Sequence, residues 1–286
     1  MRKYSLIALL SIGFLFTLGC AGKYGSTMKM TAGYWDTNLF GLAQTTDPDG
    51  NEGDKVNFGA SEYADFDLNQ ANPRLSVEIG TTTRMRANLW MVSYDGENDS
   101  PDEFTVFGTT FAAGEAVDGT LAFTGAELAG EFSFITLEDL VEHTSIRGFA
   151  GFGLKYIGLG AEITSITQNI DENVPFGTPF LVLGTEVNFY EYFAAGMTLD
   201  FGSFDFKFGD WDIDGQYDSL KIFAGAYYPL GEDGKTGPRV GGEIGYLSNS
   251  IGMGVDGLAE DPTDDVDKFD AKLGFRGIFI QGVLMF

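Results

Sequence analysis

From residue 26 onward, apolar residues recur at every second position, which is the mark of a strand whose two faces meet different surroundings. Residues 218–230 show the period plainly. Leu220, Ile222, Ala224, Ala226, Tyr228 and Leu230 share one face, and Ser219, Lys221, Phe223, Gly225 and Tyr227 share the other. Leu75, Val77 and Ile79 alternate in the same way with Arg74, Ser76 and Glu78, and Leu181, Leu183, Thr185, Val187 and Phe189 with Val182, Gly184, Glu186 and Asn188. The pattern predicts strands near residues 26–36, 73–81, 84–94, 119–136, 144–167, 177–190, 193–208, 216–230, 237–253 and 268–286. The last stretch changes phase. Phe269, Ala271, Leu273 and Phe275 are apolar on one parity, while Ile278, Ile280 and Leu284 are apolar on the other. One extra residue would reconcile the halves, so a β-bulge is predicted near Gly277.

The connections alternate in length. Residues 81–83, 137–143, 190–192 and 231–236 are short links, while 37–72, 95–118, 168–177, 209–215 and 254–267 are long. Short turns at one end and long loops at the other are the habit of outer-membrane barrels. The predicted fold is therefore all-β: an antiparallel up-and-down transmembrane barrel of about ten strands. Regrouping residues 55–70 and 97–118 would make eight or twelve. An even number puts both termini on the short-turn, periplasmic side. Several stretches exceed the 9–11 residues that cross a bilayer as a tilted strand and would project above it. A soluble β-sandwich also alternates, but it does not call for a terminal aromatic residue or loops of unequal length. Tyr190, Tyr192, Phe193 and Phe286 are expected in the periplasmic aromatic girdle.

The first residues read as an address. Met1-Arg2-Lys3 is basic, residues 6–18 are apolar and uncharged, and Gly19-Cys20-Ala21 are small. That is the order of a secretion signal. The expected division is a signal peptide over 1–19, a lipid-anchor linker over 20–25 and the barrel over 26–286. Cys20 is the only cysteine, so no intramolecular disulfide is available. Residues 16–20 resemble a lipoprotein cleavage site, which implies diacylglycerol on Cys20. Ordinary cleavage after Ala21 would instead discard it.

With the apolar face turned to lipid, the other face becomes a charged lumen. It would hold Lys29, Arg74, Glu78, Arg84, Arg86, Glu127, Glu131, Arg147, Lys155, Glu186, Asp200, Lys221, Arg239, Glu243, Asp270, Lys272 and Arg276. About eight strands give an interior that side chains fill, whereas 16 or more leave a water channel. Ten strands favour a plug of ion pairs over a narrow charge-lined pore, the alternative reading.

Charge and composition narrow the function. The chain of 286 residues has 40 Gly, 26 Phe and 12 Tyr, and 42 acids against 17 bases give a net charge of −25. Such a balance repels nucleic acid. The long-connection regions, taken as 37–72, 95–118, 168–177, 205–218 and 254–267, carry 27 acids and two bases, Lys55 and Lys207. This acidic rim is a solvated, repulsive face, or a weak site for divalent cations. Asp210, Asp212 and Asp214 with Gly215 begin like a calcium loop, although Lys221 stands where a closing Glu belongs. Asp47, Asp49 and Asp54 make a weaker candidate. The sole histidine, His143, falls in a predicted periplasmic turn, which argues against an enzyme. No cofactor is expected, and the barrel is expected to be non-enzymatic.

Two stretches carry resemblances. Phe286 is the last residue, with Leu284, Gly282, Ile280 and Ile278 at every second position before it. This resembles the outer-membrane β-signal and implies recognition of Phe286 by the barrel-assembly machinery. Residues 66–96 resemble the first hairpin of a poorly characterised group of Gram-negative outer-membrane barrels. The similar parts are Glu78-Ile79-Gly80, the turn to Arg84 and Arg86, and Ser93-Tyr94-Asp95-Gly96. The resemblance implies a barrel in contact with outer-membrane lipid, with no particular activity.

Overall fold

The computed structural model describes residues 28–46, 56–57, 69–99, 104–106, 109–138, 142–165, 167–190, 192–208, 211–231, 237–256 and 268–286. The proposed signal peptide, linker and Cys20, together with Asp210 and the Asp47–Asp54 candidate, lie outside them.

Ten long strands form the wall: β1 (Met28–Thr46), β2 (Asn69–Gly80), β3 (Thr83–Asp99), β4 (Ala116–Glu138), β5 (Thr144–Ser165), β6 (Asn169–Phe189), β7 (Phe193–Phe208), β8 (Trp211–Pro229), β9 (Arg239–Asp256) and β10 (Lys268–Met285). Each pairs antiparallel with its sequence neighbour, and β10 pairs back onto β1 from Met285↔Lys29 to Lys268↔Thr46, which closes the ring. Closure leaves no open sheet edge, the condition for backbone in contact with lipid. Val56–Asn57 extends the sheet beside Leu42 and Ala43, where β2 has ended, and Phe104–Val106 pairs with Thr109–Phe111 as a separate hairpin.

The strands reach further than the alternation suggested, mostly at the end away from the termini. Residues 169–176 and 211–215, read as long connections, are strand. The links between β5 and β6 and between β7 and β8 are therefore as tight as the turns at the other end. Glycine, proline and aspartate depress strand propensity there, but pairing with both neighbours overrides them. Part of the acidic rim is thus barrel wall rather than loop.

The expected bulge near Gly277 is not present. β10 stays in unbroken register with both β1 and β9 from Lys268 to Met285. The register shift among the described pairs falls between Ser133 and Ile135 of β4. Without a bulge, the phase change in β10 is a change of its outer face, from apolar to polar, while the inner face stays largely apolar from Met285, Val283 and Phe279 up to Phe275 and Leu273. Gln281 and Phe279 point inward with Leu273 and Ala271, while Ile280 and Ile278 point outward with Arg276 and Lys272.

On other strands both faces change. On β9 the outward residues run Val240, Ile244, Tyr246 and then Ser248, Ser250, Asp256; the inward ones run Arg239, Glu243 and then Leu247, Ile251, Met253. On β4 the outward side passes from Phe132 and Leu128 to Thr124, Thr120 and Asp118, and the inward side from Glu131 and Glu127 to Phe123, Leu121 and Val117. The barrel therefore has two storeys. The lower, beside the termini, is apolar outside and charged inside, as a wall in lipid must be. The upper is polar outside and apolar inside, like a barrel in water.

Candidate functional site: the lumen

The lower lumen is a network of ion pairs built from inward-pointing side chains of several strands. Arg84 on β3 is its hub. Its Nε donates to Glu131 Oε2 at 2.8 Å, its Nη1 to Glu78 Oε2 at 2.8 Å and to Glu186 Oε2 at 3.3 Å, and its guanidinium lies 5.0 Å from the Phe149 ring. Arg86 crosses the barrel, and its Nη2 donates to both oxygens of Asp200 on β7 at 3.0 and 3.1 Å. Its Nε lies 3.3 Å from Glu127 and from Glu131. Lys155 meets Glu127 at 2.9 Å and sits 3.6 Å from the Tyr217 ring centre, and Asn88 donates to Glu127 as well. A second cluster surrounds Glu243, which pairs with Lys29 at 2.5 Å and accepts hydrogen bonds from Tyr227 Oη at 2.7 Å and Gln281 Nε2 at 2.5 Å.

These carboxylates and cations are almost wholly buried, so each pair faces a large desolvation cost that multiple partners must offset. Among the described residues, Arg74, Lys221 and Arg147 form no ion pair. Arg74 and Lys221 lie 5.3 and 5.5 Å from the Phe279 ring centre. Arg147 donates to Ser133 and stacks 4.9 Å from Phe149. Arg239 is half-buried at the lower mouth. There a cavity of about 160 Å³ opens, lined by Lys29, Glu78, Arg84, Arg147, Glu186 and Arg239 among others.

Above the ions the lumen is filled by aromatic and aliphatic side chains. Trp35, Trp90 and Phe275 pack together with ring centroids 5.2–6.4 Å apart, and Phe123 adds a contact to Phe275 at 5.0 Å. Phe176 and Phe204 stack at 5.1 Å. Trp35, Tyr94, Ile157, Tyr217 and Phe275 are 0% exposed, so no water reaches them from either end. A small pocket between Phe123, Ile157, Phe176 and Ile251 measures about 10 Å³, room for one water at most. Gly125 is part of this packing, because a Cβ there would collide with the Trp90 indole.

The lumen thus brings together Arg74, Glu78, Arg84, Arg86, Glu127, Glu131, Arg147, Lys155, Glu186, Lys221, Arg239 and Glu243. It does not include Lys272 and Arg276, which stand exposed on the outer face of β10, nor Asp270 beside them. The inversion places them there: above Gly277 the charged parity is the outer one. Asp212 and Asp214 belong to strand β8, paired on both sides, so they do not form the loop that calcium would need. Asp212 instead meets Lys207 at 2.7 Å. His143 sits in the β4–β5 turn with φ 60°, its ring 5.5 Å from Tyr190. Asn88, Tyr227 and Gln281 are network members that charge counting misses. Their parity on the strand is the signal that could have found them.

The closed ring, the apolar belt and the charged lower lumen define a bacterial outer-membrane β-barrel. No protein-family model and no curated protein matches the chain. Among solved structures, the outer-membrane protease OmpT of Escherichia coli is similar at 11% identity and TM-score 0.47, with 94% of this chain and 99% of that one covered. The transport unit of the autotransporter AIDA-I of E. coli is similar at 9% identity and TM-score 0.31, covering 96% and 98%. The Pseudomonas putida toluene transporter TodX is similar at 9% identity and TM-score 0.29, covering 92% and 91%. Likeness at this level concerns barrel architecture and carries nothing about activity.

Proposed function

We propose that the chain is a closed, non-enzymatic barrel with a structural or surface-interaction role, its lower lumen stapled by ion pairs and its acidic end displayed outside the membrane. The observation that supports this reading is the stack of Trp35, Trp90, Phe123 and Phe275 above the ions, fully or almost fully buried in the centre of the barrel. Ions crossing the barrel would have to leave hydration water behind at this apolar layer, a severe barrier. For catalysis, the one histidine, His143, lies in the lower turn at the lining of the lower cavity, where the carboxylates Glu78 and Glu186 are already paired with Arg84. In this reading the mature chain is also held by a lipid on Cys20, which intact mass would reveal, and Phe286 is its handle for assembly.

The deciding experiment is single-channel recording of the refolded mature protein in a planar bilayer under a salt gradient. A silent membrane is expected, with folding established by heat-modifiable migration in gels. Steady cation-preferring steps would overturn the closed-barrel reading in favour of a narrow channel fed by the acidic mouth.

A further inference from the structure

Charge does not balance in the lower lumen. Its carboxylates are all held in ion pairs: Glu243 by Lys29, Glu78, Glu131 and Glu186 by Arg84, Asp200 by Arg86, and Glu127 by Lys155. Arg74, Arg147 and Lys221 point into the same space and, among the described residues, pair with none of them. Those seven cations therefore face six carboxylates, and Arg239 at the mouth adds a further positive charge. The surplus is positive inside a chain whose net charge is −25. Nε and Nη1 of Arg74 are buried and have no hydrogen-bond partner among the described residues. A cation kept from water without a counter-charge is strongly unfavourable, so a surplus of this kind calls for a counter-ion.

Lys221 marks the place. It stands on β8 directly opposite Thr198 of β7, which is buried beside it. Both line a largely enclosed chamber of about 10 Å³, room for one water-sized particle. Lys29, Arg84 and Arg86 line it too, together with two carboxylates, Glu78 and Glu186. Arg84 holds both of those carboxylates, at 2.8 and 3.3 Å, and the Glu243 carboxylate nearby is held by Lys29, Tyr227 and Gln281. Lys221 Nζ lies instead 4.9 Å from the Phe223 ring centre, and it shares the Phe279 ring with the Arg74 guanidinium. The chamber has Lys29, Glu78, Arg84 and Glu186 in common with the cavity of the lower mouth, so it is the inner end of a path that opens beside the termini.

We propose that this chamber binds a single halide ion, held by the Lys221 ammonium and the Thr198 hydroxyl, with Arg74 close by adding to the positive field. Ammonium and hydroxyl are both donors, which an anion needs. Size selects the class of ligand. A monatomic anion needs little more room than one water, and the flexible Lys221 arm can give it, whereas a phosphate or a carboxylate needs far more. A halide here offsets the surplus and leaves every existing ion pair in place. The inference extends the ion-paired lumen of the proposed function. It concerns retention of an ion rather than its passage, so it stands or falls separately from conductance.

The test uses the full mature protein, refolded in detergent with sodium gluconate and no halide, then dialysed to equilibrium against radiolabelled chloride at matched ionic strength. One chloride per folded chain should be retained. Lys221→Met should bind it at least about tenfold more weakly, the loss of one charge-assisted contact. Lys207→Gln/Lys268→Gln, which changes two exposed cations, should bind it as the parent does. Lys221→Met removes an unpaired charge and breaks no ion pair, so folding is expected to survive, and heat-modifiable migration verifies it. Bromide should displace the label, and phosphate at the same concentration should not. A folded parent that retains no chloride overturns the proposal, as does undiminished retention by folded Lys221→Met. Phosphate that displaces the label as well as bromide does also overturns it, because the ion would then sit in the open mouth and not in the chamber.

Discussion

Phe275 and Arg276 are adjacent in the chain and stand on opposite sides of the wall at the level where the barrel changes character. Phe275 is 0% exposed, its ring 5.5 Å from Trp35 and 5.2 Å from Trp90, while Arg276 lies outside against Phe40. One residue lower on the outer parity the side chains are apolar, and one residue higher on the inner parity they are apolar too. A strand passing from lipid to water must make this exchange if it continues as a barrel. Lipid rewards apolar groups outside, whereas water rewards them inside.

The outer face should therefore respond to charge according to height. Ile280→Arg puts a cation in the belt and should cost about 2–4 kcal/mol, whereas Ser250→Arg, above the boundary, should cost about 0–1 kcal/mol. Unfolding midpoints in urea from lipid vesicles measure both. Equal costs would mean that the boundary is misplaced.

The upper core should behave as a soluble one. Trp90→Ala removes a ring wedged among Trp35, Phe275 and Gly125, and large-to-small changes at such sites cost about 3–5 kcal/mol. Gly125→Val should damage the same packing from the other side, since its Cβ would overlap the Trp90 indole. Near-ultraviolet circular dichroism of the tryptophans should change in both variants, with the β-content retained. An unchanged tryptophan signal would contradict the packing.

Much of the barrel was legible from alternation alone. Residues 193–208 were expected as one strand, and the structure has Phe193–Phe208. A barrel of about ten antiparallel strands was read from the alternation of short and long connections, and the pairing of the last strand with the first closes it. The polarity exchange was harder to see, because alternation gives a period and not a side. On β10 the change of the outer face was visible as a phase change, and a bulge was the simpler local account of it. Only the pairing partners, Asp36 to Ile278 and Asn38 to Arg276 in continuous register, separate the two explanations. The charged lumen was legible wherever the apolar parity faces lipid, which is why Arg84 and Glu131 were found and Lys272 was misplaced.

The outer end offers a titration that stays clear of the membrane. Glu115 precedes β4, and its Oε1 accepts hydrogen bonds from Ser165 Oγ at 2.6 Å and Thr167 Oγ1 at 2.5 Å, while Oε2 accepts from the Ala112 amide at 3.0 Å. These bonds hold its carboxyl well below the usual range, at about 2. A depressed carboxylate stabilises the fold at pH values above its unfolded pKa of about 4.3, and the contribution is lost as pH falls through about 2. Carboxyl NMR should place Glu115 in that window. Glu115→Gln should speed amide exchange at Thr167 and Gln168 at pH 6 and have little further effect near pH 2. A normal carboxylate titration would show that the three bonds are not made in solution.

The hub of the lower lumen gives the sharpest mutational contrast. Arg84 is the shared partner of Glu78, Glu131 and Glu186, and two of those carboxylates are themselves buried. Arg84→Ala leaves them facing one another without their common cation, and the expected loss is about 3–5 kcal/mol. Glu131→Gln removes one charge but keeps an acceptor for the Arg84 Nε, so its cost should be smaller. Combining the two should cost less than the sum of the separate losses, because the second change removes part of the repulsion the first creates. The measurement is a double-mutant cycle on urea midpoints in vesicles. Additive losses, or an Arg84→Ala variant as stable as the parent, would point to a wet lumen in which water screens these charges and no single pair matters.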